Sequence, residues 1–224
     1  MKVSIIGTGY VGLVTAACLA DTGNDVICMD IDKNKIDQLS RGTIPIYEPG
    51  LESLVTANLQ EGRLSFTTDI AKAVKESDIL FIAVSTPPKE DGSCDLSNVI
   101  QVAGEIAKHL NKYKIVVTKS TVPVGTTEKV RDIIAAQSSV DFGIASNPEF
   151  LKEGDAVQDF QKPDRIIIGA QDETTASMLK ELYAPFVRTQ NPMIVMNIRS
   201  AEMTKYAANP MHAAFEQLLR YRNG

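Results

Sequence analysis

Short apolar runs recur along the chain and predict buried strands. They are apolar at consecutive positions rather than at alternate ones. That pattern is typical of strands that are covered on both faces, as in a parallel sheet. The predicted strands span residues 3–6, 25–29, 79–84, 115–117, 142–145 and 166–168.

Longer segments with helical spacing lie between these runs. Their apolar residues recur every three or four positions, which favours amphipathic helices. Because predicted strands and helices alternate, right-handed crossovers would place helices on both faces of one sheet. The sequence therefore predicts an α/β fold with a doubly wound, mostly parallel Rossmann-type sheet and helices on both faces. The predicted helices span residues 12–22, 34–40, 96–110, 126–136 and 173–183.

Two segments interrupt this alternation. Residues 86–95 (TPPKEDGSCD) are rich in Pro, Gly and Asp and follow a predicted strand, so we expect a loop near a ligand. Residues 48–63 form a short helical piece that opens at Pro49 and closes at Gly62. Packing is the simplest role for this piece, and a binding role stays open.

Composition and charge exclude several classes of function. The chain has 224 residues, of which 44% are hydrophobic and 23% charged, enough to bury a sizeable core. A net charge of -5 without a basic block predicts no nucleic-acid partner and no anionic membrane surface as partner. No stretch approaches the roughly 18 apolar residues that span a bilayer. The chain also begins directly with a strand-like VSIIG and shows no secretion signal, so a cytoplasmic location is expected.

The cysteines predict neither disulfides nor a metal site. Cys18, Cys28 and Cys94 are odd in number, and their spacing matches no disulfide framework and no zinc motif. We expect ordinary reduced thiols and no bound metal.

A glycine motif directly follows the first predicted strand. Gly7, Gly9 and Gly12 form a G-x-G-x-x-G pattern that opens the first helix, a context that makes a dinucleotide site far more specific than the pattern alone. These glycines would permit a tight turn, an approach of the backbone to a pyrophosphate, and close packing of helix on strand. The N–H groups of Tyr10 and Val11, at the helix start, would then face the phosphates.

An acidic residue follows the second predicted strand. Asp30 lies 18 positions beyond Gly12, close to the spacing of an acid that binds ribose hydroxyls. A carboxylate there repels a 2′-phosphate, so NAD is favoured over NADP, although Lys33 and Lys35 soften that preference. A methyltransferase that binds S-adenosylmethionine would carry a similar turn and acid, and it stays open as an alternative.

Beyond this motif, the chain resembles the UDP-glucose/GDP-mannose dehydrogenase family. Seven blocks in consistent order cover residues 1–209 and make the resemblance specific. The residues of the IYEPGL and NPEFLKEG blocks are more similar to the UDP-glucose branch than to the GDP-mannose branch. The blocks are GTGYVGLVTAACLA, IYEPGL, STPPKEDGSCDLS, KSTVPVGTT, NPEFLKEGDAVQDF, PDRIIIG and SAEMTKYAAN.

The resemblance implies a reaction and a cofactor site. The family oxidises the C6 alcohol of a nucleotide sugar to a carboxylate with two NAD in succession, through a thiohemiacetal and a thioester on an enzyme cysteine. The resemblance places Asp30 and Lys35 beside the adenosine ribose and Thr86 beside the nicotinamide ribose. It gives Thr121 a contact with the cofactor and with a catalytic water. Without the resemblance, Thr121 is equally well a strand-end residue that caps a turn.

The NPEFLKEG block carries the implied base and part of the substrate pocket. The resemblance makes Glu149 the candidate general base for thioester hydrolysis and sets Glu153 near the nicotinamide. Two carboxylates four residues apart share one face of a helical turn, so mutual repulsion is expected to raise one pKa. By composition alone, such a pair is simply solvated surface. The substrate-binding residues implied in this block are Glu149, Phe150, Leu151, Lys152 and Glu153.

Lys205 and Asn209 are implied to act on the substrate oxygen. They lie four positions apart on a helix that is predicted to begin near Ser200. In the family, the corresponding pair donates hydrogen bonds as negative charge develops, which is worth about 2.7–4 kcal/mol per donor. Without the resemblance, such a pair is expected to lie on a solvent-exposed face of a helix.

The chain departs from the family pattern after Asn209. The sequence continues as PMHAAFEQLLRYRNG, and Pro210 would disturb a helix through Asn209. We expect an NAD-binding domain over residues 1–199 and the start of a central connecting helix with an atypical tail over 200–224. We expect a truncated form that lacks the family's catalytic-cysteine segment and UDP-binding domain.

This departure leaves several functions open. None of the three cysteines occupies the family's nucleophile position, so NAD binding without turnover is expected, and the family's homodimer stays uncertain here. The alternatives are a GDP-mannose or UDP-N-acetylmannosamine dehydrogenase fragment, a β-hydroxyacid dehydrogenase that uses a lysine, and a non-catalytic NAD-binding module.

Overall fold

A computed structural model describes residues 1–187 and 192–208 of the chain. Within these residues, eight strands form one sheet in the order β3-β2-β1-β4-β5-β6-β7-β8. All neighbouring strands are parallel except β6 and β7. The strands are β1 Lys2–Ile6, β2 Asp25–Met29, β3 Leu64–Thr67, β4 Ile79–Ile82, β5 Ile115–Thr118, β6 Gly143–Ser146, β7 Ile166–Ala170 and β8 Met193–Met196.

The strand order creates a crevice beside the first strand. The chain runs outward from β1 through β2 to β3 and then returns to β4 on the other side of β1. Ile5 pairs with Cys28 on one side and with Phe81 on the other. Connections that leave β1 and β4 in opposite directions open a crevice at the carboxyl ends of these strands, where open α/β sheets bind ligands.

Helices cover both faces of the sheet, which confirms the predicted fold class. One core packs Ile5, Phe81 and Val117 of the sheet against α1, α3, α7 and α8. The second core packs Leu80 and Val116 against α4, α5 and α6. The helices are α1 Tyr10–Asp21, α2 Lys33–Leu39, α3 Leu51–Gln60, α4 Ile70–Glu76, α5 Ser97–His109, α6 Thr126–Gln137, α7 Ala156–Gln161 and α8 Glu173–Tyr183.

Two further helical stretches complete the described chain. A short 3-10 turn follows α8 at Ala184–Phe186, and residues 198–208 are helical. Across the described ranges 1–187 and 192–208, no helix combines the length and the apolar character needed to cross a membrane.

Helix α1 is buried along most of its length. Its sequence YVGLVTAACLAD is apolar almost all the way round, and its residues from Gly12 to Ala20 are all buried. A helix without a polar face is stable only when other elements surround it. Small side chains at Ala16, Ala17 and Ala20 let α1 lie close to the sheet and to its neighbours, so its amino end is held rigidly at the crevice.

The unpredicted strands lie at the two edges of the sheet. Strand β3 carries the sequence LSFT at one edge of the sheet, and only Leu64 is fully buried. Strand β8 forms the other edge and is only partly buried. A strand with one partner lacks the continuous apolar run of a central strand. The short helices α4 and α7 were also missed, whereas the predicted helical piece at 48–63 is confirmed as α3.

Candidate functional site

The loops that leave the carboxyl ends of β1, β4, β5 and β6 meet at one edge of the sheet. They span residues 7–9, 83–96, 119–125 and 147–155. Parallel strands bring their carboxyl ends together, so segments that are far apart in sequence share this edge. The helical segment 198–208 contributes Lys205 to the same place, because its ammonium group contacts Glu149 of the last loop.

The glycine turn has the geometry that the motif predicts. Gly7 has a φ of +106°, and a Cβ there would lie 2.5 Å from the carbonyl oxygen of Ala83. A Cβ on Gly12 would lie 2.0 Å from the carbonyl oxygen of Gly7. Gly9 differs from both, since a Cβ there would meet nothing within 4 Å. The turn is therefore closed on its protein side and open on the side where a ligand would approach.

The first turn of α1 offers free backbone donors. Gly9 precedes the helix, and within the described part of the chain no side chain caps it. The first intrahelical bond runs from the Leu13 N–H to the Gly9 carbonyl, which leaves the N–H groups of Tyr10, Val11 and Gly12 without helical partners. No acidic residue occupies this turn. The helix start is thus suited to a phosphate anion.

Asp30 is fixed next to this turn. One of its carboxylate oxygens accepts hydrogen bonds from the Thr8 N–H at 2.9 Å and the Thr8 hydroxyl at 2.7 Å. The other oxygen accepts from the Asp32 N–H at 3.1 Å, and Lys35 Nζ lies 3.6 Å from the carboxylate. Burial raises the pKa of Asp30, but these hydrogen bonds and Lys35 outweigh burial, so the pKa lies below its usual value. The charged carboxylate keeps unused acceptor capacity for ribose hydroxyls.

Lys33, unlike Lys35, does not pair with Asp30. It pairs with Asp37 on the exposed face of α2, at 2.7 Å. Of the two lysines that soften the predicted preference for NAD, only Lys35 therefore faces Asp30 in the structure.

Thr86 and Thr121 are joined across two loops. The Thr86 hydroxyl donates to the Thr121 carbonyl at 2.8 Å, and the Ser120 hydroxyl donates to the Val84 carbonyl at 2.6 Å. The loops after β4 and β5 therefore form one wall of the crevice. The loop at 86–95 follows β4 as predicted, and Cys94 Sγ lies 3.7 Å from the Thr86 carbonyl.

Glu149 and Lys205 form an ion pair. Lys205 Nζ lies 2.9 Å from a Glu149 carboxylate oxygen, and the side chains are only 12% and 10% exposed, respectively. The other oxygen of Glu149 accepts from the Leu151 N–H at 2.7 Å. The structure thus pairs Glu149 with an opposite charge, whereas Glu153, the carboxylate predicted to repel it, is exposed.

The remaining residues of this block surround the ion pair. The Phe150 ring has Arg165 over it at 4.6 Å and Lys205 Nζ at 5.6 Å from its centroid. Leu151 packs against the core that contains α1, and Lys152 is exposed. Asn209, the implied partner of Lys205, lies outside the described residues.

The sequence of the whole domain matches a known profile. Residues 1–187 match the UDP-glucose/GDP-mannose dehydrogenase family, NAD binding domain. The chain belongs to this family. NAD, the cofactor predicted from Asp30 and the glycine turn, is therefore confirmed as the cofactor of this domain.

Curated family members resemble the chain over half of their length. UDP-glucose 6-dehydrogenase of Pseudomonas aeruginosa is 49% identical over 214 residues, which cover 93% of this chain and 47% of that protein. A UDP-glucose dehydrogenase structure from Pyrobaculum islandicum superimposes with a TM-score of 0.89 at 45% identity and covers 93% of this chain and 49% of its own. The chain spans about half the length of the curated relatives it matches.

A GDP-mannose dehydrogenase of the same family has an equally similar fold. The ternary complex of the Pseudomonas aeruginosa enzyme has a TM-score of 0.93 at 42% identity, and the match covers 97% of this chain and 51% of that chain. The fold therefore does not separate the two branches, whereas sequence identity favours the UDP-glucose branch.

The buried cation Lys119 was not identified from the sequence. Lys119 of the KSTVP block is 3% exposed, and its ammonium lies 5.7–6.0 Å from the centroids of the Phe81, Phe160 and Tyr183 rings. It donates to Asn147 Oδ1 at 3.0 Å. Burial lowers its pKa to about 8, against the nearby negative charge of Glu149. Only the fold places these rings around it.

A second missed residue holds the helical segment that carries Lys205. The buried Glu202 carboxylate accepts from the Gly125 N–H at 2.6 Å and the Thr127 N–H at 2.7 Å, at the amino end of α6. On the same segment, Arg199 forms a two-pronged pair with Glu128. These contacts anchor the segment at Arg199 and Glu202, before Lys205, and so help to place the Lys205 ammonium beside Glu149.

Two of the three thiols are unsuited to nucleophilic chemistry. Cys18 and Cys28 are fully buried. Burial raises the pKa of Cys18 to about 12 and raises that of Cys28 as well. A thiol that stays protonated in an apolar interior does not attack an electrophile.

Proposed function

We propose that this chain is the NAD-binding half of a UDP-glucose 6-dehydrogenase, whose family converts UDP-glucose, two NAD and water to UDP-glucuronate and two NADH. The placement of Asp30 carries the proposal, since its charged carboxylate lies beside a glycine turn that is open toward a ligand. The 49% identity to UDP-glucose 6-dehydrogenases supports the sugar. A UDP-sugar partner and a cytoplasmic location belong to the same proposal, which includes no nucleic-acid or membrane partner and assigns no oligomeric state.

Different residues of the chain bind different parts of NAD. Bound NAD supplies a hydride acceptor. The N–H groups at the start of α1 hold its pyrophosphate, with Tyr10 and Val11 as donors, and Asp30 with Lys35 holds the adenosine ribose. Thr86 and Thr121 line the nicotinamide side of the crevice, where their loops are joined.

The buried ion pair supplies the proposed acid–base groups. Glu149 acts as general base toward water, and Lys205 with Asn209 donates hydrogen bonds to the substrate oxygen as negative charge develops. Lys205 already contacts Glu149 at 2.9 Å, so base and donor are held together before substrate arrives. Residues 150–153 line the same pocket, with Glu153 on its cofactor side.

NAD is expected to bind to the isolated chain more tightly than NADP. The Asp30 carboxylate accepts hydrogen bonds from ribose hydroxyls and repels a 2′-phosphate. Asp30→Asn is therefore expected to reduce the preference for NAD over NADP. Calorimetric titration with NAD, NADP and S-adenosylmethionine measures all three. Failure to bind NAD, or stronger binding of S-adenosylmethionine, contradicts the proposal. Asp37→Asn, on the exposed face of α2, is the matched control.

Negligible turnover is expected from these 224 residues alone. Cys18 and Cys28 are buried, and none of the cysteines lies in the sequence position of the family's nucleophile. The measurement is NADH absorbance with UDP-glucose and NAD in excess. NADH formation at a rate typical of enzymes, about 1 per second or faster, would show that another group replaces the thiol.

A further inference from the structure

Glu48 is a buried carboxylate that no motif assigns to the site. It follows Tyr47 in the IYEPGL block and is 6% exposed, although it belongs to neither a helix nor a strand. A buried carboxylate is costly unless donors surround it. Its donors come from two elements that are distant in sequence.

The first donor belongs to the dinucleotide turn. The Tyr10 hydroxyl donates to a Glu48 carboxylate oxygen. Tyr10 is the first residue of α1, whose free N–H groups are proposed to hold the pyrophosphate. A displacement of Glu48 is therefore transmitted directly to the amino end of α1.

The other donors belong to the segment after Glu149. The Gly154 N–H donates to the same Glu48 oxygen at 2.9 Å and also contacts the Tyr10 hydroxyl at 3.0 Å. The Val157 N–H lies 3.4 Å from the second Glu48 oxygen. Glu48 therefore links the dinucleotide turn, through Tyr10, to Gly154 and Val157 in the segment 149–157.

Charge reinforces this bridge. Burial raises the pKa of Glu48, but the hydrogen bonds from Tyr10, Gly154 and Val157 outweigh burial and lower it overall. Burial and the Glu48 carboxylate together raise the pKa of Tyr10 to about 12. At neutral pH, Glu48 is charged and Tyr10 is protonated, so the donor and acceptor pattern is fixed.

We propose that Glu48 is a positioning residue that couples the dinucleotide turn to residues 149–157, so that NAD binding and the placement of Glu149 stabilise each other. This inference rests on the proposed function, since it takes the turn at residues 7–12 as the NAD site. Coupling between two sites is reciprocal: a ligand that orders the turn also orders the segment linked to it.

The test follows Tyr10→Phe, which keeps the ring and removes only the hydroxyl. Hydrogen exchange of the Gly154 and Val157 amides is measured with and without saturating NAD, and NAD affinity is measured by calorimetry. In the unmodified chain, NAD is expected to slow exchange at both amides. In Tyr10→Phe, that slowing is expected to vanish, and NAD is expected to bind about fivefold or more weakly. Tyr47→Phe, at a neighbouring tyrosine that is 89% exposed, is expected to change neither quantity.

Glu48→Gln supplies an independent arm. All partners of the Glu48 carboxylate donate hydrogen bonds to it. The side-chain amide of a glutamine has only one acceptor oxygen, so its N–H group would face one of these donors. Glu48→Gln is expected to weaken NAD binding as Tyr10→Phe does. The losses in the double variant are expected to be less than additive, because both changes disrupt one hydrogen-bonded cluster. Glu52→Gln, on exposed α3 surface, is the control.

The outcomes separate coupling from general stability. A purely structural role lowers thermal stability but leaves NAD affinity and the NAD-dependent protection unchanged, and this result in folded Tyr10→Phe overturns the inference. If Glu48→Gln does not fold, Tyr10→Phe alone decides. If the unmodified chain binds no NAD, the proposed function fails, and the inference falls with it.

Discussion

Gly12→Ala is expected to abolish NAD binding and to lower the free energy of unfolding by about 1–3 kcal/mol. The added Cβ would lie 2.0 Å from the Gly7 carbonyl oxygen, which is backbone and not a flexible side chain. Gly7 has little room to move away, because a Cβ built on it would lie only 2.5 Å from the Ala83 carbonyl oxygen. The clash therefore pushes α1 away from β1 and opens the turn that aims the N–H groups.

Gly104→Ala is the matched control for this variant. Gly104 also lies within a helix, but a Cβ there would meet only the end of the Gln137 side chain, at 3.8 Å. Alanine is expected to stabilise this helix by about 0.4–1 kcal/mol. Urea unfolding and NAD titration of both variants are the measurements. A Gly12→Ala chain that is as stable as the unmodified chain and binds NAD equally well contradicts the close packing described.

Lys119→Met is expected to make the chain more stable at pH 7, by about 1–3 kcal/mol. Methionine fills the space among the three rings without the cost of a buried charge. It leaves no buried partner unsatisfied, since the Tyr183 hydroxyl still donates to Asn147 Oδ1 at 2.6 Å. Glu149 and Lys205 are the charged groups that face Lys119, and their opposite signs partly cancel.

The gain in the free energy of unfolding from Lys119→Met is expected to become smaller as pH rises. The pKa of Lys119 is lowered to about 8 in the folded chain, against 10.5 without that environment. Between these values, the unfolded chain holds one more proton, so the stability of the unmodified chain rises with pH. Each unit is worth about 1.4 kcal/mol, so the gap closes by about 2 kcal/mol up to pH 9.5. Urea unfolding from pH 7 to 9.5 measures this change.

Lys114→Met provides the contrast. Burial also lowers the pKa of Lys114 to about 8. Its ammonium, however, donates to the carbonyl oxygens of Lys75 and Ser77 at the end of α4. Removing it takes this donor from the buried Ser77 carbonyl and leaves the Lys75 carbonyl with the Asn111 amide at 3.4 Å, so a loss of about 1–3 kcal/mol at pH 7 is expected. If Lys119→Met is also less stable at pH 7, the ammonium among the rings stabilises the fold, and its proposed cost is wrong.

The parts of the site that sequence predicts are local. Gly7 and Gly12 act on backbone within the same turn, and Asp30 sits at the end of the strand next to β1, so motif and spacing were sufficient. The central strands were equally accessible, because burial on both faces leaves a continuous apolar run. Edge strands β3 and β8 leave no such signal, and both were missed.

The contacts that sequence does not predict join distant segments. Glu48 and Gly154 lie 106 positions apart, and Glu202 and Gly125 lie 77 apart. A glutamate on its own has no periodic pattern, and its partners are backbone N–H groups, which every residue except proline carries. The ion pair of Glu149 and Lys205 was likewise invisible, although the family resemblance named both residues separately.

The Glu202 carboxylate also has a consequence for ligand choice. Both α1 and α6 begin at the carboxyl edge of the sheet, and each start presents N–H groups with partial positive charge. At α6, the protein's own glutamate already occupies these donors, so an incoming polyanion finds them neutralised. Among the residues that the structure describes, only the α1 start of these two keeps free N–H groups for the phosphates of a dinucleotide, because Glu202 accepts from those of Gly125 and Thr127.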